Sequence, residues 1–218
     1  MATLLKGPMG PISGKVGNMV YVSRADKCYV KALPAPCSKP PTERQMETRT
    51  RFGMVMRFAT LLKPLIQMSL KSHKRVLTGM NALVKDILQN ALTTDLSPKI
   101  DYSKVVLSRG RTGYATLAEV RALDGGVLRF GWTSHCNFDS SPYDELVIVL
   151  YQEATHQCWF NLETRVSRQD ETCTISFPVN LSICETHVWI AFRSPAGIFS
   201  ISQYLGTVYN NQPVRHEK

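Results

Sequence analysis

From residue 101 onward the chain is a succession of short β-rich runs bounded by turn residues, and this spacing narrows its fold more than any other feature. The runs occupy 104–107, 115–122, 127–133, 145–151, 158–162, 172–177, 187–193 and 199–203, and Asp124-Gly125-Gly126 supplies a hairpin-type turn between two of them. Seven or eight such strands in about 100 residues predict an antiparallel β-sandwich of immunoglobulin or fibronectin type. No ten-residue helical period interrupts them. Trp132 and Trp189 fall on these runs and are expected to pack between the two sheets.

The preceding stretch has a different period. Thr42-Glu43-Arg44-Gln45 fits a capping box, so a helix should begin there. Phe52, Val55, Met56, Ala59, Leu62 and Ile66 recur at three- and four-residue steps and define one apolar face. Pro64 should kink or end this helix near Lys63. A second helix is expected over 78–92, with Leu83, Val84, Ile87, Leu88 and Leu92 as its stripe, and 92–100 reads as a linker.

The first 41 residues are unlike either part. Gly7, Gly10, Gly14 and Gly17 predict an extended, irregular arm. Two β-rich runs, 19–22 and 28–30, predict a hairpin with about five loop residues at 23–27. Pro34, Pro36, Pro40 and Pro41 then stiffen a connector over 33–41. An isolated hairpin is marginal in water. Residues 11–33 are therefore expected to pack across subunits, with Val16, Met19, Tyr21, Tyr29 and Val30 as oligomer contacts. The organisation expected is an arm and hairpin (1–41), a helical region and linker (42–100), a sandwich (101–210) and a tail (211–218). The fold class is mainly β with α.

Charge divides along the same line. Residues 1–100 carry 16 Lys+Arg and 5 Asp+Glu, whereas 101–218 carry 10 and 12. Such asymmetry suits a polyanion-binding half, a head-to-tail contact between unlike halves, or a solvated basic surface. Arg44, Arg49, Arg51, Arg57, Lys71, Lys74 and Arg75 are the candidate phosphate contacts. Tyr and Trp are scarce among them, which argues against a base-stacking platform.

Tests for site chemistry return little. Gly14-Lys15 lies in a glycine-rich run, but Met9 and Val16 stand where a phosphate loop needs glycine and a hydroxyl residue. His135-Cys136, His156-x-Cys158 and Cys184-x-x-His187 bring zinc-type atoms near one another without the tight paired spacing of a structural zinc site. His156 and Cys158, on one strand, would share a sheet face. No nucleophile elbow or His-Glu-x-x-His occurs, and Asp144-Glu145 and Asp170-Glu171 read as solvated loop charges. No catalytic residue, metal ligand, cofactor or small-molecule substrate is indicated. The six cysteines are expected to be reduced and mostly buried. No stretch approaches the ~20 apolar residues of a membrane helix, so no membrane partner is expected. Residues 1–20 hold Lys6, Lys15, four glycines and two prolines rather than a signal-peptide core. A cytoplasmic location, or a particle assembled in the cytoplasm, is expected.

Five segments together resemble a known group of proteins. They are Ser13-Gly14-Lys15-Val16-Gly17; Tyr29-Val30-Lys31; Pro41-Thr42-x-x-Gln45-x-x-x-Arg49-x-x-Phe52; Leu62-Lys63-Pro64; and Asp101-Tyr102-Ser103-Lys104-Val105-Val106-Leu107-Ser108-x-Gly110. In this order they resemble an uncharacterised family of roughly 200-residue proteins abundant in Bacteroidota, with looser likeness to phage-associated proteins. The family tends to have glycine at the hairpin tip, where this chain has Ala25-Asp26, and often asparagine where it has Pro40. The resemblance implies a basic arm-and-helix part followed by a sandwich, and it implies no activity. The function expected is that of a non-enzymatic assembly protein, a homo-oligomer and a component of a phage or phage-like particle. The alternative is a basic nucleic-acid-binding module with a sandwich for partner contact.

Overall fold

The computed structural model describes residues 3–4, 12–24, 27–36, 39–70, 78–93, 98–123, 125–134, 139–162, 164–178, 181 and 184–209. The chain divides into two units, 1–43 and 44–218. The first is a four-stranded antiparallel sheet in chain order: β1 (Thr3–Leu4), β2 (Ile12–Val16), β3 (Met19–Arg24) and β4 (Lys27–Ala32). Over residues 3–4 and 12–16 this corrects the expectation of an irregular arm with a separate hairpin, while Gly7 and Gly10 lie outside the described residues. Gly17 takes φ +56° in the two-residue loop between Val16 and Met19, so β2 folds back directly onto β3. The β3–β4 ladder continues to Arg24↔Lys27, which leaves two loop residues rather than five.

In the second unit α1 (Glu43–Leu61) starts directly after Thr42, and α2 (Lys63–Ser69) carries Pro64 in its first turn, where a missing N–H costs nothing. The break at Leu62 is the one that Pro64 predicts. The Thr78 hydroxyl caps α3 (Gly79–Asp86) by accepting the Asn81 N–H at 3.3 Å. A π-helical turn, Ile87–Ala91, extends α3.

Seven strands follow: β5 (Thr116–Leu123), β6 (Val127–Thr133), β7 (Glu145–Gln152), β8 (Gln157–Asn161), β9 (Thr172–Ser176), β10 (Glu185–Arg193) and β11 (Gln203–Tyr209). They form a three-stranded sheet, β5-β6-β9, and a four-stranded sheet, β11-β10-β7-β8, both antiparallel. Two of the eight expected strands are displaced. Residues 105–108 join no ladder, and serine hydroxyls take both backbone groups of Leu107. Ser202 Oγ accepts the Leu107 N–H at 2.8 Å, and Ser69 Oγ donates to the Leu107 carbonyl at 2.8 Å. Ser200 Oγ likewise accepts the Phe192 N–H at 2.9 Å, and the last strand begins at Gln203 rather than Phe199.

The pleat of β7 and β10 assigns the two cores. Leu146, Ile148, Leu150, Val188, Ile190 and Phe192 face Leu128, Phe130 and Trp132 of the other sheet. The alternate residues Val147, Val149, Tyr151, Trp189 and Ala191 face Val55, Phe58, Leu62, Ile66, Leu83 and Ile87 of the helices. The helices thus form a third layer on the four-stranded sheet. Trp189 belongs to that layer and not, as its strand suggests, between the sheets; its Nε1–H donates to the Val105 carbonyl at 3.2 Å. Phe58 rather than Phe52 completes the buried stripe of α1, since Phe52 is 49% exposed.

One charged pair lies inside the sandwich. Arg168 and Asp144 are fully buried, and Arg168 Nη2 donates to Asp144 Oδ2 at 3.1 Å and to the Gly113 carbonyl at 2.6 Å. The guanidinium lies 4.0 Å above the Phe192 ring, and Trp132 Nε1–H donates to the Arg168 carbonyl at 2.8 Å. Asp144 is therefore no solvated loop charge. Its segment, the Gly113 segment and the turn at Arg168 are tied together where the backbone enters β5 and β7. Asp170, by contrast, is exposed and caps its turn through Ser167.

Candidate functional site

Register sorts the side chains of the N-terminal sheet onto two faces. Gly14↔Tyr21, Val16↔Met19, Tyr21↔Val30 and Met19↔Ala32 place Val16, Met19, Tyr21, Val30 and Ala32 on one face without a charge. Lys15↔Val20, Val20↔Lys31 and Val22↔Tyr29 place two lysines and Tyr29 on the other. Four of the five candidate contacts, Val16, Met19, Tyr21 and Val30, thus come together, and Tyr29 points the opposite way. Val16, Met19 and Val30 are 50–56% exposed, and no residue of this unit with a described side chain is buried.

Of the candidate phosphate contacts, Arg44, Arg49, Arg51 and Arg57 lie on α1. Arg44 and Arg51, seven residues apart, share a face, while Arg49 and Arg57 project from other sides, so the four form no single stripe. Arg51 is tied to Glu47 at 2.6 Å. Lys71, Lys74 and Arg75 lie outside the described residues.

A second feature lies between α1 and the turn that joins β7 to β8. Thr50, Gly53, Met54 and Arg57 from α1, with Phe58, Ile100, Tyr102, Tyr151, Glu153 and His156, line a cavity of about 400 Å³. Its floor is aromatic. Phe58 meets Tyr151 edge-on at 4.8 Å and Tyr102 at 5.6 Å, and the two tyrosine rings lie 5.4 Å apart. The Tyr151 hydroxyl lies 3.5 Å from His156 Nδ1. Burial, reinforced by Glu153, pushes the Tyr102 phenol well above its usual range, and burial raises Tyr151 as well. His156 does not share a strand with Cys158, because β8 begins at Gln157 and His156 sits in the turn at φ +51°. Behind the cavity, His187 Nδ1 lies 2.9 Å from the Tyr204 hydroxyl, and its ring is 4.1 Å from that of Tyr102. Sequence reasoning assigned Tyr102, Tyr151 and Glu153 no role. The one available signal was the position of Tyr102 inside the Asp101–Gly110 motif.

Cys158, Cys173 and Cys184 are free, and burial pushes the Cys158 thiol up to about 12, so it is a poor nucleophile. Cys28, Cys37, His135 and Cys136 have no described side chains. Among the described residues no three His, Cys, Asp or Glu side chains converge on one point, and no helix is long and apolar enough to cross a membrane.

No curated protein matches the chain, and no solved structure does. A family model does match, over residues 11–206, a span that takes in β2 to β4, α1 to α3 and the sandwich as far as Gly206 in β11. The chain therefore belongs to DUF6266, a family of unknown function.

Proposed function

We propose that the protein is a non-enzymatic assembly component that self-associates through its N-terminal sheet, with a second copy of the chain covering the face made by Val16, Met19, Tyr21, Val30 and Ala32. One observation carries this reading: that face is apolar and uncharged, and Val16, Met19 and Val30 on it are 50–56% exposed. A small sheet needs its apolar face packed to be stable. An identical sheet supplies a matching uncharged surface through a two-fold axis, and leaves the lysines of both copies facing water. The motif likeness to Bacteroidota and phage-associated proteins suits a subunit of a phage-like particle, assembled in the cytoplasm. Sedimentation of the full chain should show a multimer at micromolar concentration, and Val30→Asp should convert it to a monomer with an unchanged sandwich. A monomeric wild type, or a multimer indifferent to Val30→Asp and Met19→Lys, refutes the reading.

A second reading rests on the first turns of α1. Residues 43–50 are exposed, and Arg44 and Arg49 form no ion pair with a described residue. This suits salt-dependent binding of a nucleic-acid backbone. It requires a gel shift at low salt that Arg44→Glu together with Arg49→Glu removes; absence of any shift excludes it.

A further inference from the structure

We propose that the cavity between α1 and the β7–β8 turn binds a small zwitterion of amino-acid size, its carboxylate on Arg57, its ammonium group on Glu153 and its apolar side chain against the aromatic floor. The cavity is separate from the N-terminal sheet and does not depend on self-association.

At about 400 Å³ it lies within the range of small-molecule sites. Its lining includes one guanidinium and one carboxylate, yet Arg57 and Glu153 are not within ion-pair distance of each other or of another described charge. Two unpaired, opposite charges on one small cavity select against singly charged ligands. An anion on Arg57 would meet the Glu153 carboxylate, and a cation on Glu153 would meet Arg57. A ligand carrying both charges satisfies both walls, and the planar guanidinium fork matches a carboxylate. Phe58, Tyr102 and Tyr151, with Met54 and Ile100, supply apolar surface to the same cavity.

The walls are also held in place. The rings of Phe58, Tyr102 and Tyr151 pack against one another with centroids 4.8–5.6 Å apart. His156 meets the Tyr151 hydroxyl from a left-handed backbone position that side-chain-bearing residues seldom adopt. The four residues of the turn, Glu153–His156, thus begin and end on cavity-lining side chains.

The experiment is calorimetric titration of the full-length protein with L-phenylalanine and L-leucine. The single-charge analogues 3-phenylpropanoate and 2-phenylethylamine are titrated in parallel. At least one amino acid should bind, and each analogue should bind about tenfold more weakly or worse, since each forgoes one charge-assisted hydrogen bond. Arg57→Gln and Glu153→Gln should each weaken the amino acid by a similar factor. Both side chains are exposed, so unchanged melting temperatures will show that the fold is intact. The proposal is overturned if neither amino acid binds at roughly ten millimolar. It is equally overturned if a single-charge analogue matches the amino acid, or if the two substitutions leave its affinity unchanged.

Discussion

β3 and β7 are alike in sequence and opposite in circumstance. Both carry an unbroken apolar run, Met19 to Val22 in one and Leu146 to Tyr151 in the other. Such runs belong to strands covered on both faces. β7 fulfils that expectation: Ile148 is 0% exposed against the second sheet, and Val149 is 3% exposed against the helices. β3 carries a similar apolar run, yet none of its described side chains is buried, and Met19 and Val22 remain 51% and 36% exposed. Both runs favour strands, and burial is where they differ. A strand composed for burial but left open supports a role outside its own fold.

The contrast can be broken or sharpened by substitution, with tryptophan fluorescence as the probe. All three tryptophans, Trp132, Trp159 and Trp189, lie in residues 44–218, so this signal reports unfolding of the covered sheets alone. The largest loss is expected from Asp144→Ala. It strands the Arg168 cation at 0% exposure and should lower urea stability by about 3–5 kcal/mol. Gly110→Ala comes next. A Cβ there would collide with the Phe199 backbone carbonyl, and the forced shift should cost about 1–3 kcal/mol in the same titration.

A smaller effect concerns pH. Burial holds the His187 imidazole below its ordinary pKa, although Glu185 and Glu153 favour its charged form; Tyr102, Tyr151 and Tyr204 pack around it. The unfolded chain takes up this proton first, near pH 6.5. The wild type should therefore lose stability as pH falls below that value, and His187→Gln should lose less between about pH 7.5 and 5.5. Parallel acid limbs in the two proteins would contradict this. The smallest effect is the most telling. Val30→Ala should leave the fluorescence-detected unfolding within about 0.5 kcal/mol of wild type, because its side chain is 56% exposed and outside the covered unit.

Much of the fold was legible because it rests on local signals. The spacing of turn residues located β5 to β10 within two residues, and Pro64 marked the break between α1 and α2. At 104–107 the composition is strand-like, but the hydroxyls of Ser69 and Ser202 take the backbone groups of Leu107. At 199–203 Phe199 makes an isolated bridge to Arg193, and the ladder itself begins at Gln203. Asp144 was misread because nothing in the sequence around it points to Arg168, 24 residues on. The uncharged sheet face was half legible. Alternation pairs Tyr21 with Met19, but register is needed to remove Tyr29 from that face. The zwitterion cavity was not legible, since Arg57, Tyr102 and Glu153 converge only after the helix packs on the sheet.

The sequence by itself determined most of the helices and strands from residue 42 onward, because propensity, capping and turn chemistry act over a few neighbouring residues. Tertiary structure decided which faces are covered: the helices seal one side of β7 and β10 and a second sheet seals the other, whereas no described side chain of the N-terminal sheet is buried. Coverage depends on residues far apart in the chain being brought into contact, and no short-range pattern encodes that.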